Sequence, residues 1–297
     1  MTIKKALHTA QRIVVLTCVM MFCFAAGVFG SGLAPISMIT GSAGTASTSS
    51  VNPWQAFLPV FIFSFIIAAI FYYIIYRSRW HGLKLAFAIF IAFYGLHTVV
   101  MQLESLVFLG SRLPTGMLVS IYLMGFIMAG LFAPLSVLIM HKTVPELEQK
   151  SLETHLSMPV SMWVWKIIVI GIAYVIIYYL FGYFIAWKNP AIQEYYSGHD
   201  PGNFFVHLAN FWQSSPWMYG FQFIRGLLWM LFALPIIRMH KGGKWEVAFT
   251  VAIVVALWTF QLLIPNPMMP AEVARVHLIE TFSSNFVFGW IVGFLLA

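Results

Sequence analysis

The segment ARVHLIETFSSNF, residues 274–286, places Arg275, His277, Glu280, Ser283, Ser284 and Asn285 at the head of an otherwise apolar run. Imidazole and carboxylate groups can exchange protons or hold a charged solute, and Ser and Asn supply hydrogen bonds. His277, Glu280, Thr281 and Ser284 follow i, i+3, i+4, i+7 spacing, which a helix would align as one stripe. His97, Met101 and Glu104 form a second stripe of the same kind, and Arg225 lies inside a third apolar run. An ionised group facing hydrocarbon is costly unless it is paired or hydrated, so these groups are expected to point into the protein.

The elements that must carry them are transmembrane helices. Hydrophobic residues make up 61% of the 297 and charged residues 8%, too little polar surface for a water-soluble domain. Mean hydropathy is +0.88. A spanning helix needs roughly 20 apolar residues. Gly, Pro and charge clusters cut the chain into eight such runs: 13–34, 54–76, 83–109, 115–140, 164–187, 216–238, 246–264 and 271–297. The expected fold is an all-α polytopic transmembrane bundle, with halves at 1–163 and 164–297. NPW at 52–54 and SPW at 215–217 open the second and sixth runs. Basic clusters and Trp80 or Trp245 follow, a pattern that a four-plus-four parallel repeat or the ordinary recurrence of interfacial residues would produce.

Twelve of the sixteen Lys and Arg residues fall on one side: Lys4, Lys5, Arg12, Arg77, Arg79, Lys84, Lys142, Lys150, Lys166, Arg238, Lys241 and Lys244. The positive-inside rule then places both termini in the cytoplasm of a plasma-membrane protein. The net charge of +7 is thereby explained by topology, and no nucleic-acid partner is expected. The KKALHTAQR start also fits a secretory signal peptide. The polar stretch 41–53 reads as an outer loop, and the capping box Thr143/Glu146 predicts a cytoplasmic surface helix over 143–156. An outer interfacial helix is expected over 201–213, started by Asp200 and Pro201, with Phe204, Leu208, Phe211 and Trp212 on its apolar face and Asn203, His207 and Asn210 opposite. His8, His81, His141, His155 and His240 are expected in solvent or at lipid headgroups.

Depth along each span sharpens the candidates. At about 1.5 Å per residue, Arg225 and Glu280 both lie roughly 13 Å below the outer end, Glu104 and His277 roughly 9 Å, and His97 roughly 20 Å. Equal depth and opposite charge make Arg225 and Glu280 an expected ion pair. Gly130 with Pro134 and Gly226 with Pro235 hint at interrupted helices. The site candidates are therefore Arg225, Glu280, His277, Glu104, His97 and Ser284, with His199, Asp200 and His207 in the outer loop.

Neither HExxH nor comparable ligand spacing occurs, and Cys18 and Cys23 lie together in the first run, so no metal site is expected. The unequal depths of His97 and His277 argue against a shared haem. Phosphate-binding loops, dinucleotide glycine patterns and recognisable nucleophile settings are absent, and no cofactor is expected. Three readings survive: a transporter or permease-like protein with an outward-facing polar cavity for a small or amphiphilic solute, an intramembrane enzyme acting on a lipid or isoprenoid, and a non-catalytic structural subunit. The expected partners are the bilayer and a small-molecule or lipid substrate. Oligomeric state is not readable.

Overall fold

A computed structural model describes residues 3–33, 53–109, 113–144, 159–196, 198–266 and 269–297. Among them, eight helices are long and apolar enough to cross a membrane, and the chain is an all-α, multi-pass membrane protein. The helices are α1 (Ile3–Gly30), α2 (Pro53–Tyr76), α3 (Gly82–Phe93, continued below), α4 (Met117–Ile139), α5 (Val160–Phe181), α6 (Pro190–Tyr196), α7 (Phe204–Ser214), α8 (Trp217–Met239), α9 (Lys244–Ala256) and α10 (Ala271–Leu296). Of these, α6 and α7 are too short to span. The expected surface helix at 143–156 and the polar loop at 41–53 fall almost wholly outside the described residues.

The interruptions are not where the prolines stand. Pro59, Pro134 and Pro235 all lie inside continuous α-helices. Neighbouring helices let membrane proteins tolerate proline in this way. The departures occur instead in α3, which passes through π-helical Tyr94–Val100, a short α turn Met101–Glu104 and a second π segment, Ser105–Leu109. α5 likewise ends in π-helical Gly182–Trp187, and α9 tightens into 3-10 helix over Leu257–Leu263. π-helical turns recur at functional positions, and the glycines that fall in them are Gly95 and Gly182, not the Gly130 and Gly226 of the sequence hint, which therefore pointed at the wrong residues. α1 also begins at Ile3, earlier than the apolar run, because Lys, His and Gln continue its helix beyond the hydrophobic stretch.

The chain forms two compact units. The first comprises Met1–Leu152 with Arg238–Lys241, the second Glu153–Ile237 with Gly242–Ala297. In the first, α1 packs on α2 and α4, and α3 packs on α4. Leu16, Met20 and Cys23 of α1 are fully buried in a core with Phe63, Phe71, Phe93 and Phe132. Ser78 and His240 form an isolated antiparallel bridge, flanked by Arg79 N donating to Met239 O at 2.7 Å and Lys241 N donating to Arg77 O at 2.9 Å. His240 is 2% exposed and packs near Tyr73. The sequence expectation places it in solvent or at lipid headgroups. The bridge encloses it, since two backbone hydrogen bonds can form only if the loop lies flat against its partner.

In the second unit, α9 and α10 pack against each other along most of their length, and α10 also packs on α5. Gly289 and Gly293 make this possible. A Cβ on Gly293 would stand 2.6 Å from Ala248 Cα, and one on Gly289 would stand 2.8 Å from Ala252 Cα. Small residues spaced by four on both helices thus let the backbones touch, the GxxxG mode of membrane packing. Lys166 of α5, 9% exposed, donates to Leu295 O at 2.5 Å and neutralises the carbonyl end of α10.

Candidate functional site

α10 aligns its polar stripe as the spacing requires. His277 Nδ1 lies 3.6 Å from Glu280 Oε2, and the Thr281 hydroxyl donates to the same carboxylate oxygen at 3.0 Å. Ser284, 7% exposed, donates to Thr281 O one turn deeper. The side chains of His277 and Glu280 are 20% and 13% exposed, so the pair is half-buried on a spanning helix. The short helix α6 completes the arrangement: Tyr196 Oη lies 3.2 Å from His277 Nε2, with its ring edge-on to the imidazole at 5.8 Å. One imidazole therefore bridges a phenol at one nitrogen and a carboxylate at the other. Such a row can relay a proton from the exposed tyrosine toward the half-buried carboxylate.

Arg225 does not join this row. It is 3% exposed on α8, where Nη1 lies 3.4 Å from Gln222 Oε1 and the guanidinium sits 5.7 Å from the centre of the Tyr174 ring. Tyr174 Oη in turn accepts from Trp229 Nε1 at 3.1 Å. Among the described residues no ion pair links Arg225 to Glu280, whose carboxylate is engaged by His277 and Thr281. The expected pairing is thus corrected. Depth fixes position along the membrane normal only, whereas pairing also requires the two side chains to share an azimuth, which packing decides. Among the described residues, Nε2 of fully buried Gln222 and Nδ2 of buried Asn285 meet no hydrogen-bond partner.

In the first unit His97 lies within the π-helical turn of α3, 5% exposed, with Nδ1 3.0 Å from Thr98 Oγ1. Phe93 meets its ring edge-on at 5.6 Å and Phe63 lies at 6.1 Å. It is a core imidazole. Glu104 ends the short α turn between the two π segments and is half-buried.

The segment 198–214 departs from expectation in two ways. Asp200 does not cap the helix: its Oδ1 accepts from Gly202 N in a turn, and Asn203 caps α7 by accepting from Phe205 N and Val206 N. Gly202, with φ of 64°, supplies the left-handed residue that moves the start downstream. His207 also leaves the polar face. It packs with Phe211 at 4.9 Å, Trp187 at 5.3 Å and Tyr183 at 5.9 Å, because i, i+4 spacing stacks it with Phe211 on the side that docks onto α5 and its π extension. Among the described residues its buried Nε2 meets no partner, and burial lowers its pKa. His199 is exposed.

Tyr196 and Tyr174 escaped the sequence reading because neither is charged and their partners lie on other helices, and Gln222 because it is uncharged, although its partner Arg225 stands one turn away on the same helix. The GxxxG of Gly289 and Gly293 was a readable signal. Among the described residues no group of three or more His, Cys, Asp or Glu side chains is placed to hold a metal ion. The chain matches no protein-family model, no curated protein and no solved structure.

Proposed function

We propose that this protein is a transporter or permease-like protein of the plasma membrane, with both termini cytoplasmic, that moves a small or amphiphilic solute by way of an outward-opening polar site. The observation that carries this reading is the contiguous row Tyr196, His277, Glu280 and Thr281, which joins an exposed phenol to a half-buried carboxylate on a spanning helix. Intramembrane ionisable groups mark solute and ion pathways by default, since they are costly to maintain for packing alone. In this reading His277 and Glu280 exchange protons with the outer solution, and Arg225 holds an anionic group of the solute. π-helical turns in two spanning helices support it, because locally loosened helices let a bundle change shape.

The test uses the purified full chain in liposomes loaded with a pH-sensitive dye. An imposed pH gradient should collapse faster on adding a transported solute, screened across monocarboxylates, amino acids and amphiphilic cations, and Glu280→Gln should abolish that acceleration. Equal flux in wild type and Glu280→Gln would remove the carboxylate from the mechanism. No solute-dependent flux across the panel would overturn the transport reading. Reporter fusions after residues 45, 112, 195 and 267 should all read as external; the same side for residue 195 and the C-terminus would refute the topology.

A further inference from the structure

A cavity of about 370 Å³ lies in the first unit, lined by His8, Gln11, Arg12, Val15, Ile139 and His141. Four of these belong to α1 at i, i+3, i+4, i+7 spacing and so form a single stripe. The other two come from the end of α4, where the chain turns through His141 in the left-handed region, φ 53°. That conformation is uncommon for a residue with a Cβ. Here it lets His141 N donate to Leu138 O and Lys142 N donate to Val137 O, both at 3.0 Å, so the turn closes while His141 still lines the cavity.

Three features define an occupant. The lining holds one permanent cation and two imidazoles and no carboxylate. Among the described residues, no protein group forms a hydrogen bond or ion pair with the side chains of His8, Gln11, Arg12 or His141. Val15 and Ile139 complete the wall, and exposed Val14 and Leu138 continue the apolar surface beside it. A cationic recess next to apolar helix surface matches an amphiphile with a negative head and a hydrocarbon tail. Basic pockets between spanning helices are suited to phosphoryl headgroups in this way. We propose that this cavity binds the headgroup of an anionic phospholipid: Arg12 and the histidines donate to its phosphate oxygens, and an acyl chain runs along Val14, Val15 and Leu138. A free phosphate ion would meet the same donors without using the apolar wall.

Thermal unfolding of the full chain in neutral detergent, titrated with phosphatidylglycerol, phosphatidylcholine or inorganic phosphate, tests the site. Phosphatidylglycerol should raise the midpoint saturably, and the double change Arg12→Gln with His141→Gln should weaken its half-saturating concentration roughly tenfold, with Arg12→Lys affected less. Equal stabilisation of wild type and double variant, or equal stabilisation by phosphatidylcholine, would overturn the proposal. Inorganic phosphate acting as well as the lipid would overturn the lipid assignment. A photoreactive phosphatidylglycerol added to wild type gives an answer independent of variant folding: adducts should concentrate in peptides spanning residues 8–15 and 138–141, and adducts concentrated elsewhere would refute the site.

Discussion

The change Gly293→Ala would test the close seam between α9 and α10 most directly. The new methyl would stand 2.6 Å from Ala248 Cα, 3.1 Å from Val251 Cβ and 3.2 Å from Ala248 N. Comfortable carbon contacts begin near 3.5 Å, so the helices must separate by about 1 Å locally. The obstacle is backbone and short side chain, with no flexible tip to swing aside. A gap of that size forfeits a quarter to a half of each dispersion contact along the seam. Buried Val251 and Val255 on α9 lie along it, their Cβ atoms 3.1 Å and 3.0 Å from the Cβ positions at Gly293 and Gly289. Overpacking of this kind costs roughly 1–3 kcal/mol, more than the about 1 kcal/mol that Ala gains over Gly from helix propensity. Gly130→Ala is the control, since a Cβ there meets nothing within 4 Å. Denaturation of the reconstituted protein by SDS titration in mixed micelles should show Gly293→Ala destabilised and Gly130→Ala unchanged or stabilised. The double change Gly289→Ala with Gly293→Ala should cost less than the sum of the two, because one separation accommodates both methyls. Equal stability of Gly293→Ala and Gly130→Ala would refute the seam.

Because Arg225 and Glu280 do not pair, a double-mutant cycle of Arg225→Ala and Glu280→Ala should be additive within about 0.5 kcal/mol, and exchanging the two charges should restore nothing; a coupling of about 2 kcal/mol or more would contradict the geometry. His207→Phe should flatten the acid limb of stability. Burial depresses the folded-state pKa of His207, so the unfolded state binds the proton more readily and stability falls as pH drops below the ordinary histidine value of about 6.5. Unfolding midpoints measured between pH 5 and 8 should diverge only on the acid side, and parallel curves for wild type and variant would exclude the effect. Lys166→Met should lower stability by about 1.5–3 kcal/mol through loss of the charged hydrogen bond to Leu295 O, while Lys166→Arg retains part of it; equal losses in the two variants would show that the contact contributes nothing specific.

Apolar run length and the helical spacing of polar residues are local or compositional signals, and they determined the membrane class, the spans and the stripe on α10. The stripe was legible because helix periodicity alone brings His277, Glu280, Thr281 and Ser284 together. Tyr196 was not, because its contact with His277 joins two segments of chain that nothing local connects. The same limit explains Arg225: sequence gives height along a helix, but the direction a side chain faces is set by which neighbour packs against it. His240 and His207, both polar by type, were buried by a loop bridge and by an aromatic face, each assembled from distant residues. Where the helices loosen was likewise not readable from residue type, since Gly95 falls in the π-helical turn Tyr94–Val100 while Gly130 and Gly226 lie in unbroken α-helix.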